Sequence, residues 1–249
     1  MASARSLTLG RRELLGLVGF VLGTIISPIT ALAQVSSDGK TRIATIGAGR
    51  EGGALGALFA KQGFPVMFSS RHPDQLKELV ASAGPNAKAG TVAEAVAFGD
   101  VVLLVVPYGA VEQIGRDFGN ALAAKPLIID VSNPIASRDG DELVKWVDQQ
   151  GGAGLATAKL MPGARLVRAF NALGPGGLAA AHRAGEPLGV PIAGDDEKAI
   201  DLATTLIRAI GFEPVLVGGL TMGRYLVPGT PLAGQHSPEL IRQIAAKLM

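Results

Sequence analysis

The sequence predicts an α/β protein with a doubly wound, mostly parallel Rossmann-type sheet, helices on both faces and a short C-terminal extension. Short apolar segments alternate along the chain with stretches of helical pattern, which is typical of parallel strands joined by crossover helices. One segment, residues 101–106, is continuously apolar, as expected for a strand buried on both faces. A glycine-rich turn at residues 47–52 lies between the first strand and the first helix.

The first half of the chain supplies three strand candidates. The apolar run at residues 42–46 ends at the glycine turn, and a helical stretch separates it from a second apolar run at residues 65–68. Asp100 precedes the third run, residues 101–106, and Pro107 ends it because proline cannot donate a ladder hydrogen bond. The helices predicted around these strands cover residues 73–83, 91–98 and 109–122.

The second half continues the alternation. Apolar strand candidates cover residues 126–131, 165–169, 189–193 and 213–217. Helical patterns cover residues 152–160, 196–210 and 237–248, with Asp195 as a plausible cap of the second of these helices. The fold-bearing part of the chain is predicted to span residues 41–226, and residues 227–249 form the extension.

The turn at residues 47–52 has the spacing of a dinucleotide-binding motif. Glycine makes up 34 of the 249 residues, so the spacing alone would occur by chance about 0.6 times. The flanking strand and helix supply the context: Gly47 permits a tight turn, Gly49 lets the backbone approach a pyrophosphate, and Gly52 lets the helix approach the sheet. The predicted cofactor-binding residues of this turn are Gly47, Ala48, Gly49, Arg50, Glu51 and Gly52.

The end of the second strand favours NADP over NAD. An NAD-binding chain usually places a carboxylate about 20 residues after the turn, where it binds the ribose hydroxyls. This chain instead has Ser70 and Arg71, a hydroxyl and a guanidinium that suit a 2′-phosphate. A solvated Arg71 at a strand end is the alternative.

Residues 1–33 are predicted to be a cleaved export signal. Arg11 and Arg12 precede an apolar stretch, residues 14–29, and residues 31–33 have the small-x-small form of a cleavage site. The arginine pair resembles a twin-arginine signal, which predicts a periplasmic or exported protein carrying its cofactor. An N-terminal membrane anchor is the alternative, although the apolar stretch is short for a span.

Composition excludes several classes of function. The chain contains no cysteine, which excludes thiolate metal sites, iron–sulfur clusters and cysteine nucleophiles. Removal of residues 1–33 would leave 20 basic and 20 acidic residues, and no basic cluster indicates nucleic acid. No metal site is predicted, and the oligomeric state, monomer or homodimer, stays open.

Five strand ends are predicted to line one cleft, because ligands of open parallel sheets bind beyond the carboxyl ends of the strands. These segments are residues 47–52, 69–71, 106–108, 132–134 and 170–172. They contain the remaining predicted cofactor-binding residues, Val106, Pro107, Asn133 and Asn171, and Tyr108, the one candidate catalytic residue.

The chain resembles the coenzyme F420-dependent NADP oxidoreductases. The resemblance is carried by the turn with its Ser-Ser-Arg ending, DVVLLVVPYGAVEQI, LIIDVSNP, ATAKLMPGARLVRAFNALGP and VPIAGDDEKA, and it covers nearly all of residues 41–226. It implies NADP held by the turn, Ser70 and Arg71, with nicotinamide contacts near Val106, Asn133 and Asn171. It also implies a flavin-like or deazaflavin (F420) hydride acceptor. The chain departs from the family pattern at Ala48, Ser69, His72 and Ala172.

Three functions remain open at this point. The leading one is an NADPH-dependent oxidoreductase acting on a small-molecule redox acceptor, since hydride transfer to a flavin-like ring needs positioning more than acid–base groups. A pyrroline-carboxylate or β-hydroxyacid type of reductase would need a proton donor, for which Tyr108 is the best candidate. The third is a non-catalytic NADP-binding sensor.

Overall fold

The computed structural model of the protein describes residues 41–179 and 187–248. The strands are β1 (Ile43–Ile46), β2 (Val66–Ser69), β3 (Ala87–Gly90), β4 (Val101–Leu104), β5 (Leu127–Asp130), β6 (Leu166–Arg168), β7 (Gly189–Gly194) and β8 (Glu213–Gly218). The helices are α1 (Arg50–Lys61), α2 (Lys77–Ala83), α3 (Val92–Phe98), α4 (Val111–Ala123), α5 (Ala136–Asp139), α6 (Asp141–Gln149), α7 (Ala153–Leu160), α8 (Pro175–Leu178), α9 (Glu197–Ala209) and α10 (Pro238–Ala246). Short 3-10 segments lie at Pro73–Leu76, Tyr108–Ala110 and Leu220–Tyr225.

The eight strands form one sheet in the order β3-β2-β1-β4-β5-β6-β7-β8. All neighbouring pairs are parallel except β6 and β7, which are antiparallel. The predicted doubly wound, mostly parallel α/β fold is therefore confirmed. The sequence did not reveal β3, because its residues, AKAG, carry almost no apolar pattern.

Helices cover both faces of the sheet, which explains the continuous apolar character of the central strands. On one face, α1 and α9 bury Phe59 and Leu206 against β1, β4 and β5. On the other face, α3, α4 and α7 bury Val96, Val111 and Ala156. Every residue of β4 is fully buried, as expected for a strand covered on both sides.

Three local predictions differ from the structure. Strand β4 ends at Leu104, two residues before the predicted end, so Val105 and Val106 are free to form part of a loop. Helix α6 lies in a segment for which the sequence analysis predicted no element. The cap of α9 is Asp196, whose carboxylate accepts a hydrogen bond from the N–H of Ala199, whereas Asp195 accepts from the N–H of Leu220.

The C-terminal residues complete the edge of the sheet. Helix α10 packs on β7 and β8, and its Ile241 is fully buried beside Val215. Leu232, in the preceding loop, is also fully buried. The predicted extension thus packs on the same sheet as the residues before it.

The predicted export signal at residues 1–33 and His182 lie outside the described residues. Within residues 41–179 and 187–248, no helix is long and apolar enough to cross a membrane.

Candidate functional site

The turn between β1 and α1 has no room for side chains at two of its glycines. Gly47 has a φ of +95°, and a Cβ there would lie 2.1 Å from the carbonyl oxygen of Val105. A Cβ at Gly52 would lie 1.9 Å from the carbonyl oxygen of Gly47. Glycine is therefore required for the turn to pass under the loop after β4 and for α1 to approach the sheet.

The N-terminus of α1 is open toward a ligand. Gly49 is its N-cap and supplies no side-chain hydrogen bond to the first-turn N–H groups. A Cβ added at Gly49 would meet no atom within 4 Å, so free space lies directly over these N–H groups. Unpaired N–H groups and the positive end of the helix dipole suit a phosphate. The residues present fit the pyrophosphate of a dinucleotide.

Glu51 gives this turn an unusual electrostatic feature. Its half-buried carboxyl group lies in the first turn of α1, at the wall of the cleft. Burial raises its pKa to about 7. Near neutral pH, this group is therefore divided between its neutral form and a charged form that repels phosphate.

A cleft of about 800 Å³ opens at the carboxyl ends of the parallel strands. This volume lies in the upper part of the range of about 300–1,000 Å³ that is usual for ligand sites. The wall consists of the α1 N-terminus, the loops after β4, β5 and β6, and a C-terminal segment: Gly49, Arg50, Glu51, Gly52, Val105, Val106, Pro107, Val131, Asn133, Ile135, Arg138, Asn171, Ala172, Leu173, Gly174, Pro228, Gly229, Thr230, Ala233 and Gly234.

Eight of the predicted cofactor-binding residues contribute to this wall: Gly49, Arg50, Glu51, Gly52, Val106, Pro107, Asn133 and Asn171. Gly47 and Ala48 lie in the same turn but are not part of the wall. Ala48 donates its N–H to the carbonyl of Ser69 at 3.1 Å, which ties the turn to the end of β2.

Ser70 and Arg71 lie just beyond the cleft wall, next to the turn. They follow β2, which pairs with β1 so that Ser69 lies beside Ile46. The hydroxyl of Ser70 accepts the N–H of His72 at 3.0 Å. Arg71 is exposed and makes no hydrogen bond or ion pair within residues 41–179 and 187–248. Its guanidinium is available to a ligand that extends from the turn across β2.

Tyr108 lies away from the cleft, on the opposite side of the loop after β4. Its side chain is almost fully buried, and its hydroxyl contacts the hydroxyl of Thr157 at 3.1 Å and the carbonyl of Ala153 at 3.3 Å. Burial raises the pKa of this phenol to about 12. The geometry therefore gives no support to Tyr108 as a proton donor in the cleft; the hydroxyl anchors α7.

The loops after β5 and β6 are joined by amide hydrogen bonds at the floor of the cleft. Asn133 donates from Nδ2 to the carbonyl of Asn171 at 2.9 Å, and Asn171 donates from Nδ2 to the carbonyl of Ser132 at 3.2 Å. The Oδ1 atom of Asn171 is buried and has no partner among the described residues. An unpaired buried acceptor fits a ligand with an N–H group, such as the carboxamide of nicotinamide.

Two parts of the site were not found from the sequence. The C-terminal segment 228–234 reaches back to the cleft, where Gly234 donates its N–H to the carbonyl of Ala172 at 2.8 Å. Arg168 is fully buried beneath the floor and donates to Asn133. A charged residue inside a strand of otherwise apolar residues was the available signal for Arg168, whereas the C-terminal segment carries no motif.

No cluster of three or more potential metal ligands occurs among the described residues.

Comparison with known proteins identifies the family to which this domain is similar. Residues 42–134 match the family model described as NADP oxidoreductase, coenzyme F420-dependent. The metalloreductase STEAP3 of Rattus norvegicus is 28% identical over 210 residues, which cover 81% of this chain and 40% of that protein. The chain thus spans less than half the length of this curated relative.

Solved structures share the fold over most of the chain. A hypothetical protein of Sinorhizobium meliloti has a TM-score of 0.68 and 28% identity, over 80% of this chain and 96% of that one. A candidate F420-dependent NADP reductase of Arthrobacter sp. FB24 has a TM-score of 0.60 and 20% identity, over 74% and 88% of the two chains. The predicted resemblance to this family is confirmed for residues 42–134.

Proposed function

We propose that this chain, which carries the dinucleotide-binding domain of the coenzyme F420-dependent NADP oxidoreductase family, transfers a hydride between NADP(H) and a flavin-like or deazaflavin acceptor. One observation carries the proposal. The N-terminus of α1, which can bind phosphate, lies on one side of the cleft, the amides of Asn133 and Asn171 lie on the other, and few ionisable groups line the wall. Its only ionisable wall residues, among the described part of the chain, are Arg50, Glu51 and Arg138.

The proposed orientation of the dinucleotide follows from these two ends. The pyrophosphate lies on the N–H groups at the start of α1, and the 2′-phosphate extends to Ser70 and Arg71. The nicotinamide then points toward Pro107 and the amides of Asn133 and Asn171. Both carboxamide ends of Asn133 are engaged by hydrogen bonds, so this floor is rigid before any ligand arrives.

The chemistry asks the protein for positioning rather than proton transfer. When bound, the reduced nicotinamide supplies a hydrogen with its electron pair, and the acceptor ring takes its remaining proton from solvent. The chain holds the two rings in contact and excludes water from between them. The apolar wall residues Val105, Val106 and Ile135 suit this task.

A reductase of small carbonyl or imine substrates is the second candidate, and the geometry favours it less. Such a reaction needs a proton donor near the nicotinamide. Tyr108 has its hydroxyl engaged at α7, and Glu51 lies at the phosphate end of the cleft. A non-catalytic sensor would use the same cleft and differs only in having no turnover.

NADPH oxidation with a panel of acceptors separates the three functions. The panel is flavin mononucleotide, a deazaflavin, a ferric chelate and small carbonyls, with binding measured in parallel from NADPH fluorescence. The proposal expects turnover with a flavin or deazaflavin. Turnover with carbonyls alone would favour the second candidate, and tight NADPH binding without turnover would favour the sensor.

The 2′-phosphate assignment has its own test. Arg71→Ala should weaken NADPH binding about tenfold or more and leave NADH binding nearly unchanged, because only NADPH carries the phosphate. Lys77→Ala, which removes the same charge from the start of α2 nearby, is the matched control. Equal losses for the two dinucleotides in Arg71→Ala would contradict the assignment.

Export with NADP already bound is part of the proposal. It is supported by the arginine pair Arg11-Arg12 and the small residues at 31–33 in the sequence. The mass and absorbance of the protein from its native host would show both cleavage and a retained nucleotide or flavin. An uncleaved protein in the cytoplasm would contradict it. We also propose that the working partner is a small molecule rather than nucleic acid.

A further inference from the structure

Arg168 is a fully buried cation in the middle of the sheet. It is the last residue of β6, with no exposed surface, and its Nη1 lies 2.6 Å from Oδ2 of Asp130 on β5. Asp130 is also fully buried. Its other oxygen, Oδ1, accepts the N–H of Ser132 at 2.9 Å.

Burial of this ion pair opposes folding. Two charges removed from water lose several kcal/mol of hydration each, and well-packed apolar residues are often equally or more stabilising. The Nε of Arg168 also has no partner among the described residues, which adds the cost of an unsatisfied buried donor. Packing alone therefore does not account for an arginine here.

Two glycines leave space for the aliphatic part of the Arg168 side chain. A Cβ at Gly223 would lie 2.7 Å from Cδ of Arg168, and one at Gly154 would lie 3.2 Å from it. Both glycines lie close against this one side chain. The surrounding backbone thus restrains the aliphatic chain of Arg168, and hydrogen bonds restrain its guanidinium.

The guanidinium of Arg168 fixes the hydrogen bonds of the residues at the floor of the cleft. Its Nη2 donates to the carbonyl of Ser132 at 2.9 Å and to Oδ1 of Asn133 at 3.2 Å. The second bond fixes which end of the Asn133 amide points inward, and the Nδ2 of Asn133 then donates to the carbonyl of Asn171. Arg168 is not itself part of the cleft wall, so any effect on a ligand passes through these amides.

The chain leaves β6 by a strained turn that brings Asn171 into this network. Phe170 has a φ of +65°, which is unfavourable for a residue with a bulky side chain. Its ring is fully buried and packs edge-on against Phe212 at 5.6 Å between centroids. Packing thus holds Asn171 at the cleft despite the strain.

We propose that Arg168 is a positioning residue for the nicotinamide half of the site, acting through Asn133 and not through the phosphate half. This inference rests on the proposed function, because it takes the cleft floor as the nicotinamide subsite. It assigns a role to a buried pair that touches no ligand itself.

A pair of ligands separates positioning from general structure. NADP⁺ and 2′-phospho-ADP-ribose share the adenosine, the 2′-phosphate and the pyrophosphate, but only NADP⁺ carries nicotinamide. In Arg168→Lys, the ion pair with Asp130 is kept, while the planar fork that reaches two acceptors is lost. We expect NADP⁺ to bind about tenfold more weakly and 2′-phospho-ADP-ribose to bind within about twofold of the wild type.

A control variant, a replacement variant and a double-mutant cycle complete the test. Arg165→Lys is the matched control, since Arg165 lies at the opposite end of β6 and donates to the carbonyl of Lys125 at 3.1 Å; both affinities should stay unchanged. If Arg168→Lys does not fold, the double variant Asp130→Asn/Arg168→Gln takes its place in the binding test, because it removes both buried charges together. A double-mutant cycle with Asn133→Ala should show strong non-additivity for NADP⁺.

Each outcome has one meaning. Equal weakening of both ligands, no weakening of either, or additive effects in the cycle would overturn the role of Arg168. A wild-type protein that binds NADP⁺ no more tightly than 2′-phospho-ADP-ribose would overturn the proposed nicotinamide site itself, and this inference with it. A wild-type preference that survives the substitution overturns the inference alone.

Discussion

NADP binding should weaken as the pH rises through neutrality because of Glu51. This carboxyl group lies at the N-terminus of α1, and burial raises its pKa to about 7. With that pKa, about one tenth of the groups are ionised at pH 6 and about nine tenths at pH 8. The ionised form is the one that repels the pyrophosphate, so affinity is highest on the acidic side.

The size of the effect depends on how far the Glu51 carboxylate lies from the bound phosphate and on the partial exposure of the carboxylate. A carboxylate about 6 Å from a phosphate charge interacts with it by about 1.4 kcal/mol at an effective dielectric constant of about 40, which suits a group that solvent partly screens. This repulsion would raise the pKa of Glu51 in the complex by about one unit. NADPH affinity should then fall about fivefold between pH 6 and pH 8.

Glu51→Gln isolates the carboxyl group from the titration of the ligand itself. The variant should bind NADPH about as tightly as the wild type at pH 6 and about fivefold more tightly at pH 8, as measured from nucleotide fluorescence. Glu142→Gln, in the first turn of α6, is a matched control that should follow the wild type. Calorimetry in two buffers should show uptake of about half a proton on binding at pH 7.5.

The reasoning fails if the wild type and Glu51→Gln keep a constant affinity ratio from pH 6 to pH 8. The same pKa also affects folding. Because the folded-state pKa is raised, the stabilisation is fully present below the unfolded-state pKa of 4.5 and is lost as the pH rises through about 7. The thermal midpoint of Glu51→Gln relative to the wild type should therefore increase over that range.

Two substitutions test the remaining parts of the site. Gly52→Ala places a Cβ 1.9 Å from the carbonyl oxygen of Gly47 and should lower the unfolding free energy by about 1–3 kcal/mol and abolish NADPH binding. Gly119→Ala, in α4 with open space around it, should leave binding intact; comparable binding losses in both would contradict the steric argument. Tyr108→Phe removes the hydroxyl contact with Thr157 and should cost about 1 kcal/mol in urea unfolding while turnover stays within about twofold. A hundredfold loss of turnover would instead make Tyr108 the proton donor.

The phosphate half of the cleft was predictable because its determinants are local in sequence. One strand, one turn and one helix start hold Gly47, Gly49 and Gly52. A nearby backbone carbonyl excludes a side chain at Gly47 and at Gly52, and the space over Gly49 is open. The mostly parallel sheet was predictable for a related reason, since buried parallel strands are continuously apolar. Strand β3 and helix α6 carry no such pattern and were missed.

The placement of Tyr108 shows the limit of strand-end reasoning. A residue just after a central strand was expected to face the ligand, but β4 ends at Leu104 and the loop turns over before residue 108. Val106 and Pro107 therefore line the cleft, and Tyr108 points to α7. A two-residue shift in the end of a strand reversed the side on which the aromatic ring lies.

The other half of the cleft depends on contacts between distant parts of the chain, and this division has a functional consequence. Asp130 and Arg168 end two strands that meet only in the folded sheet, and Asn171 lies in the loop after the second of them. The segment 228–234 closes the wall from a third direction. Residues that hold phosphate can stay fixed while these contacts change, because no hydrogen bond joins the two halves within residues 41–179 and 187–248. The identity of the acceptor should therefore respond to substitutions at Ile135, Arg138 and Thr230, and the preference for NADP should not.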